Sequence, residues 1–183
     1  VFRGSEENVL DRFYNAAKSI KAEIVVRITA DDPFKDPLLL DGTIDFLRAN
    51  DLDFAYNNHP PSFPEGLDVE VFTYKALQQA HQNANTAFEF EHVTQHFYEN
   101  PEVFKQCNLP SDINLSHLRW TIDTDVDLLM AKEIYNALYE DKSIFLMSDI
   151  LALLEQYPEI AQMNANVSRS TMYSKTSIVG DTQ

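Results

Sequence analysis

The chain of 183 residues contains little cysteine, little glycine and no long hydrophobic run. Its single cysteine, Cys107, cannot form an internal disulfide or a thiolate metal cluster, so we expect a reducing compartment and a cytoplasmic protein. Its four glycines form no GxGxxG motif and no P-loop motif. No apolar run approaches the ~18 residues of a membrane-spanning helix, so we expect no membrane as a partner.

Basic residues are also scarce, because 29 acidic residues stand against 14 lysines and arginines, for a formal net charge of −15. Binding to a nucleic-acid polymer needs clustered basic residues that neutralise phosphates, which excludes this class of partner. The acidic residues are spread along the whole chain, which indicates a solvated surface and not an acidic tail. Hydrophobic residues make up 44% of the chain, which is sufficient for a well-formed core.

The spacing of apolar residues predicts an α/β domain. An amphipathic helix is predicted over residues 9–20 with Ser5 as its N-cap, followed by a buried, parallel strand over 24–28. Further strands are predicted over 53–57, 68–72, 103–108 and 117–122, and further helices from Pro37, over 74–83, over 89–99, after Thr124, over 149–156 and over 158–163. We interpret residues 1–183 as one domain, with 143–183 as a C-terminal helical extension ending in a polar tail.

Two acidic loops follow predicted strands. Asp31 and Asp32 come after the first strand, and Asp123 comes after the last one. Ligands of open α/β sheets bind beyond the carboxyl ends of strands, where carboxylates suit Mg²⁺ and the phosphates that it binds. For Asp31 and Asp32, a metal site and a simple turn cap are equally compatible with the sequence. Asp123 is the stronger candidate ligand, whereas Asp125 and Asp127 are better explained as helix caps.

Other chemically capable residues have simpler interpretations. His92 and His96 are four residues apart on a predicted helix, which is the spacing of a zinc pair. Val93 stands where a zinc protease needs glutamate, so we favour a solvent-facing or sugar-contacting pair. We interpret Cys107 and Trp120 as core residues of predicted strands. No serine lies in a nucleophile-elbow context, so no covalent intermediate is predicted.

Six strings of the sequence together resemble one known family. They are VFRGSEENVLDR (1–12), VRITADDP (26–33), GLDVEVF (66–72), EHVT (91–94), YENP (98–101) and LSHLRWTIDT (115–124). This series resembles the cytidylyltransferase family of spore-coat polysaccharide biosynthesis proteins, which are relatives of the CMP-Kdo and acylneuraminate synthetases. The resemblance covers nearly the whole chain, through Val167.

The resemblance implies a fold and a reaction. The fold is a three-layer α/β/α sandwich, similar to nucleotide-diphospho-sugar transferases, around a mixed, mostly parallel sheet. In the reaction, CTP and a sugar give a CMP-sugar and pyrophosphate, so CTP, a sugar and Mg²⁺ are the implied ligands. Because related synthetases are commonly dimers, the resemblance also implies a possible homodimer.

The resemblance further implies roles for individual residues. It assigns Asp31 and Asp123 to catalysis and to the binding of Mg²⁺, and it places Asp11 and Arg12 near the nucleotide. The residues that it implies for substrate binding are Arg27, Asn57, Gly66, Asp68, Glu70, Glu91 and His92.

The sequence also departs from the family pattern. The basic, glycine-containing loop with which the family grips the triphosphate has no counterpart here, so we expect that the N-terminal phosphate-loop segment is missing. We therefore expect these 183 residues alone to bind CTP poorly and to turn over negligibly. Glu65 and Phe90 stand where the family usually has arginine. Two alternatives stay open, a nucleotide-sugar-dependent glycosyltransferase and a non-catalytic binding module of the same fold.

Overall fold

A computed structural model describes residues 1–139 and 144–169. In chain order, its strands are β1 (Ile24–Arg27), β2 (Phe54–Tyr56), β3 (Glu70–Thr73) and β4 (Gln106–Asn108). Its helices are α1 (Val9–Ile20), α2 (Pro37–Ala49), α3 (Tyr74–Asn83), α4 (Ala87–Glu91), α5 (Gln95–Glu99), α6 (Asp125–Leu138), α7 (Met147–Gln156) and α8 (Pro158–Gln162). Within the described ranges, none of these helices has the length and apolar character to cross a membrane.

The four strands form one mixed sheet in the order β1-β3-β2-β4. β3 is antiparallel to both β1 and β2, whereas β2 and β4 are parallel. The predicted α/β class and mixed sheet are confirmed, although antiparallel pairs outnumber parallel ones among the described strands. The prediction that β1 is a buried, parallel strand is wrong. β1 is a half-buried edge strand of the described sheet, in which Ile24 lies opposite Thr73 and Arg27 opposite Glu70.

Helices cover both faces of the sheet, which confirms the three-layer arrangement. Successive side chains of a strand point to opposite faces. Phe54 of β2 and Phe72 of β3 therefore pack with buried residues of α1 and α3. Their neighbours Ala55 and Val71 pack on the other face with Leu47 of α2.

Besides the two clusters of buried side chains on the faces of the sheet, a third cluster is formed by side chains of α6, α7 and α8. These helices bury their apolar side chains around Trp120, which is 1% exposed, so its predicted place in the core is confirmed. The predicted strand over 117–122 does not join the sheet; its only ladder contact in the described ranges is an isolated bridge between Arg119 and Glu65. α7 and α8 confirm two predicted helices of the C-terminal extension, and residues 143 and 170–183 of that extension lie outside the described residues.

Local hydrogen bonds correct several predicted boundaries. The N-cap of α1 is Asn8, whose side chain accepts the N–H of Asp11, whereas Ser5 accepts the N–H of Asn8. The single helix predicted over 89–99 is two short helices, because α4 ends at Glu91 and α5 begins only after Thr94.

Two further predictions have opposite outcomes. Cys107 is exposed and not part of the core, because it lies on β4 at the edge of the described sheet. The interpretation of Asp127 as a helix cap is confirmed, because Thr124 and Asp127 form a capping box at the start of α6. The Thr124 side chain accepts the N–H of Asp127, and the Asp127 carboxylate accepts the N–H of Thr124.

Candidate active site

Five loops, among them the segment of Val167 and Ser168 after α8, line a cleft of about 600 Å³ together with α5. The loop after β1 contributes one wall, and the loop before β3 contributes the floor together with Glu70. His92, α5 and the segment before α6 close the other sides. Seven of the predicted site residues line this single cleft: Arg27, Asp31, Gly66, Asp68, Glu70, His92 and Asp123.

Asn57 does not line the cleft but supports its floor from beneath. Its side chain is fully buried, and its amide oxygen accepts the N–H of Val69 at 2.7 Å. Its amide nitrogen donates to the carbonyl of Leu67 at 2.9 Å. The donor and the acceptor of the Asn57 side-chain amide therefore both bind the backbone of the loop that carries Gly66 and Asp68. Asn57 thus shapes the cleft by holding this loop and not by contacting a ligand.

The structure does not bring Asp11, Arg12 or Glu91 to the cleft. Asp11 lies on α1, where its carboxylate is 2.9 Å from Nε2 of His81 on α3. Arg12 borders a separate groove formed with the N-terminal residues. Glu91 is exposed at the end of α4 and is not among the residues that line the cleft.

Asp31 and Asp123 lie on two loops that are joined directly. The N–H of Ile122 donates to the carbonyl of Asp31 at 2.9 Å, and both carboxylates are exposed on the cleft. Asp32 has a different role, since its carboxylate accepts from Thr29 and Lys35 at 2.8 Å each and so holds the turn. The two acidic residues that the sequence could not separate are thus distinguished by their hydrogen bonds.

The donors at Asp31 and Asp123 fit a magnesium ion. Mg²⁺ is usually bound by one or two carboxylates together with water and substrate phosphates, rather than by a complete cage of side chains. In residues 1–139 and 144–169, no group of three or more potential ligands is assembled, so the protein would supply at most this pair of carboxylates. An exposed pair of carboxylates on a polar cleft therefore suits an ion that arrives with phosphate.

Arg119 is a buried residue at the centre of a carboxylate network, and sequence reasoning missed it. Its guanidinium lies 2.9 Å from Glu65, 2.5 Å from Asp123 and 3.0 Å from Asp127. Burial lowers the pKa of Arg119, whereas hydrogen bonds to Asp127 and Asp123 raise it by more than burial lowers it. The pKa of Arg119 therefore lies above its ordinary value. The only signal of this buried position in the sequence is that a basic residue stands between Leu118 and Trp120.

Asp127 completes this network from α6. Burial raises its pKa, but hydrogen bonds from Arg119, Asn164 and Thr124 outweigh that effect and hold the pKa well below its usual range. Asn164 donates both to Asp127 at 2.7 Å and to the carbonyl of Arg119 at 3.0 Å. The segment after α8 is therefore tied to the same side of the cleft.

A second buried network surrounds Glu70. Its carboxylate lies 2.5 Å from the guanidinium of Arg27 and accepts hydrogen bonds at 2.9 Å from the hydroxyls of Thr94 and Tyr98. Glu70 is only 3% exposed, so its charge is neutralised within the protein. Thr94 and Tyr98 were not predicted as site residues, although Thr94 lies in the string EHVT and Tyr98 lies in the string YENP.

His92 and His96 do not form a pair. His92 lines the cleft, whereas His96 is buried with its Nδ1 2.5 Å from a carboxylate oxygen of Glu89. The prediction that both histidines face solvent or a sugar is therefore wrong for His96, because Glu89 of the preceding helix holds its ring inside the protein.

Glu89 makes the stability of this region dependent on pH. Burial raises its pKa, but hydrogen bonds from the N–H of Asn85, from His96 and from Thr86 lower it more, from 4.5 to about 2. Because the pKa is lower in the folded state, ionised Glu89 stabilises the protein above pH 4.5, and this contribution is lost as the pH falls towards 2. We expect the stability advantage of the wild type over Glu89→Gln to shrink by about 3 kcal/mol over that range.

Urea denaturation at a series of pH values measures this difference. Glu91→Gln is the matched control, because Glu91 lies on the same helix but is exposed. Its difference from the wild type is expected to stay nearly constant with pH. A pH-independent difference for Glu89→Gln as well would contradict the assignment.

Gly66 is required by the backbone of the cleft floor. Its φ is +104°, and an added Cβ would lie 2.7 Å from both the backbone nitrogen of Thr121 and the carbonyl carbon of Trp120. We expect Gly66→Ala to lower the free energy of unfolding by about 2–3 kcal/mol, because it combines backbone strain with a steric clash.

Chemical denaturation of Gly66→Ala and of the control Gly42→Ala tests this expectation. Gly42 lies in α2, and a Cβ added there meets nothing within 4 Å. Its replacement is expected to stabilise the helix by up to about 1 kcal/mol. Equal effects at the two glycines would show that the close approach at Gly66 is not restrictive.

The layered α/β fold and a cleft with two exposed carboxylates suit a protein that acts on a phosphorylated ligand. The comparison with known proteins defines the class as a nucleotidyltransferase. Residues 1–176 match the cytidylyltransferase family, and the chain belongs to that family. The resemblance found in the sequence is thus confirmed, and an enzyme is favoured over the non-catalytic module and over the glycosyltransferase.

Two curated proteins and one solved structure are similar to the chain. The uncharacterised protein MJ1063 of Methanocaldococcus jannaschii is 37% identical over 173 residues, covering 93% of this chain and 69% of that protein. The spore coat polysaccharide biosynthesis protein SpsF of Bacillus subtilis is 31% identical over 169 residues, covering 88% of this chain and 67% of SpsF. The structure of a cytidylyltransferase from Leptospira borgpetersenii superposes with a TM-score of 0.84 at 30% identity, covering 93% of this chain and 70% of that one.

Proposed function

We propose that this protein transfers CMP from CTP to a sugar, with release of pyrophosphate, in the synthesis of polysaccharide precursors. The observation that carries the proposal is the presence of Asp31 and Asp123 on one cleft of a cytidylyltransferase-family domain. The similarity to SpsF, which is named for spore coat polysaccharide biosynthesis, supports the biological setting. A cytoplasmic location and a homodimer stay predictions.

The proposed reaction is an in-line displacement at phosphorus. A sugar hydroxyl oxygen forms a bond to the α-phosphorus of CTP, and the bond from that phosphorus to the bridging oxygen breaks. Pyrophosphate leaves with the electron pair, and the hydroxyl proton is released to water. No protein nucleophile is needed, so the reaction agrees with the absence of a nucleophile elbow in the sequence.

The residues of the cleft would position the reactants. Asp31 and Asp123 would hold Mg²⁺, which when bound neutralises phosphate charge. Arg119 keeps the carboxylate of Asp123 directed to one side through their 2.5 Å contact. Glu70 and His92 also line the cleft, and we place the sugar beside them.

The decisive experiment measures pyrophosphate release and product mass with the complete gene product, Mg²⁺ and a panel of sugars. We expect CMP-sugar formation with CTP and little product with ATP, GTP or UTP. Nucleotidyl transfer with equal rates for all four nucleotides would contradict the assignment to CTP. Calorimetric titration of the 183-residue chain with CTP separately tests its expected weak binding, which tight binding would contradict.

A further inference from the structure

The segment that follows α8 forms part of the cleft wall. α8 ends at Gln162, and both Val167 and Ser168 line the cleft. These two residues belong to a short segment, residues 164–169, which we call the strap. The C-terminal extension therefore contributes side chains to the candidate active site and is not only a helical appendage of the domain.

One end of the strap is fixed by Asn164. This residue is 2% exposed, and its amide nitrogen donates to the Asp127 carboxylate at 2.7 Å and to the carbonyl of Arg119 at 3.0 Å. Its backbone carbonyl accepts the N–H of Val167 at 2.9 Å, which closes a turn within the strap. Because a side-chain amide has two N–H donors, Asn164 uses both of them to tie the strap to the buried network beside Asp123.

The other end of the strap is held to the cleft floor. The guanidinium of Arg169 lies 3.7 Å from the carboxylate of Asp68, and the two side chains are 23% and 17% exposed. Asp68 lies on the loop that Asn57 holds from beneath. The strap is thus attached to the α6 side of the cleft at Asn164 and to its floor at Arg169, and these two attachments hold Ser168 against the cleft.

The hydroxyl of Ser168 differs from the other hydroxyl groups of the cleft. Among the described residues, six hydroxyl groups line the cleft, and five of them donate to acceptors within the protein, namely those of Thr29, Thr94, Tyr98, Thr121 and Thr124. Ser168 is exposed, and its hydroxyl makes no hydrogen bond to the part of the chain that the structure describes. Since a hydroxyl both donates and accepts, this group can bind phosphate or hydroxyl oxygens of a ligand.

We propose that Ser168 is a binding residue of the active site, whose hydroxyl contacts a phosphate or hydroxyl oxygen of a reactant, and that Asn164 and Arg169 are positioning residues that hold it there. The proposal rests on the proposed function, because it takes the reactants to be CTP and a sugar. A strap with a merely structural role would contribute to stability, but the loss of its exposed hydroxyl would not change the affinity for either reactant.

Kinetics and direct binding with the complete gene product test the role of Ser168. KM is measured for CTP and for the accepted sugar. Binding of CTP and of the panel of sugars is measured independently by calorimetry in the presence of Mg²⁺. We expect Ser168→Ala to weaken the binding of one reactant by about tenfold, which corresponds to ~1.4 kcal/mol, and to change kcat by less than about threefold.

Two further serine variants control this experiment. Ser168→Thr keeps the hydroxyl and is expected to bind within about threefold of the wild type. Ser148→Ala removes an exposed hydroxyl of α7 that does not line the cleft, so it should leave KM and affinity unchanged. Unchanged affinity for both reactants in Ser168→Ala overturns the proposal. An equal loss in Ser168→Ala and Ser168→Thr overturns it too, because the hydroxyl is then not the cause.

Asn164→Ala tests whether the strap acts through Ser168. We expect it to weaken the binding of the same reactant, and the double variant with Ser168→Ala to bind no more weakly than the weaker single variant. Arg169→Gln is expected to behave in the same way. Asn166→Ala, at an exposed asparagine of the strap, is the matched control and should bind like the wild type. Additive losses in the double variant overturn the positioning role, and if Asn164→Ala does not fold, the Ser168 variants decide the proposal.

The outcomes for the binding residue and for the proposed function are distinguishable. CMP transfer by the wild type together with unchanged binding in Ser168→Ala overturns the role of Ser168 and leaves cytidylyl transfer intact. Binding of CTP or a sugar that Ser168→Ala weakens, without transfer of CMP by the wild type, contradicts the proposed function and supports the role of Ser168. A wild-type protein that binds neither CTP nor any sugar of the panel overturns both.

Discussion

Replacement of Arg119 by methionine is expected to lower the free energy of unfolding by about 3–5 kcal/mol, which is the usual cost of removing one member of a buried charge network. Arg119 is 7% exposed, and its guanidinium is within 3.0 Å of Glu65, Asp123 and Asp127. Glu65 and Asp127 are buried as well, so the substitution leaves two carboxylates in the interior without their cation. Since small domains are stable by about 5–15 kcal/mol, this loss is a large fraction of the total.

Urea denaturation measures the effect, with Arg48→Met as the control. Arg48 is exposed in the last turn of α2, and its loss is expected to cost less than about 1 kcal/mol. Arg119→Lys should be intermediate, because an ammonium group cannot bridge three carboxylates as a planar guanidinium does. If uncompensated charge is the cause, adding Glu65→Gln to Arg119→Met recovers part of the stability. A further loss of stability in the double variant would instead assign the effect to lost packing.

Long elements with a clear apolar period were predictable from the sequence, and four of the five predicted strands overlap β1 to β4, whereas the fifth, over 117–122, was wrong. α1 and α3 have the predicted bounds, because a buried face recurring every three to four residues identifies a helix without reference to its partners. The segment 117–122 has strand-like composition, but its backbone bonds go to loops. Trp120 donates to the carbonyl of Glu65 at 2.7 Å and Ile122 to that of Asp31 at 2.9 Å. Hydrogen-bond partners that are distant in sequence decide such cases, and composition does not reveal them.

The candidate site was also predictable only in part. Asp31 follows from the general position of ligands beyond the ends of sheet strands. Asp123 was predicted on the same ground, although the segment 117–122 before it does not join the sheet, and the structure places both aspartates on one cleft. The roles of Arg119 and Tyr98 depend on partners far along the chain, since Arg119 meets Glu65 and Tyr98 meets Glu70. A buried ion pair of this kind is visible only once the fold has brought both charges together.

Replacement of Asp31 or Asp123 by asparagine is expected to reduce kcat/KM for CMP transfer by at least about 100-fold each, and to raise the Mg²⁺ concentration needed for half-maximal rate. The estimate follows from metal sites in which loss of an outer partner alone costs about 10–100-fold. Asparagine keeps the size of the side chain but removes the negative charge that Mg²⁺ prefers. The measurement is the rate of pyrophosphate release at several Mg²⁺ concentrations, with CTP and the accepted sugar.

Both substitutions are expected to leave the fold intact, which makes the result interpretable. The Asp123 side chain is 49% exposed, so its contact with Arg119 contributes less than about 1 kcal/mol to stability. Asp125→Asn is the matched control, because Asp125 is exposed two residues further on, in the first turn of α6, and does not line the cleft. If Asp31→Asn or Asp123→Asn reacts at the wild-type rate with unchanged Mg²⁺ dependence, that aspartate is not a metal ligand. A loss shared equally with Asp125→Asn would instead point to the summed negative charge of this surface, because Asp125 lies outside the cleft and is not placed to meet an ion that enters with CTP.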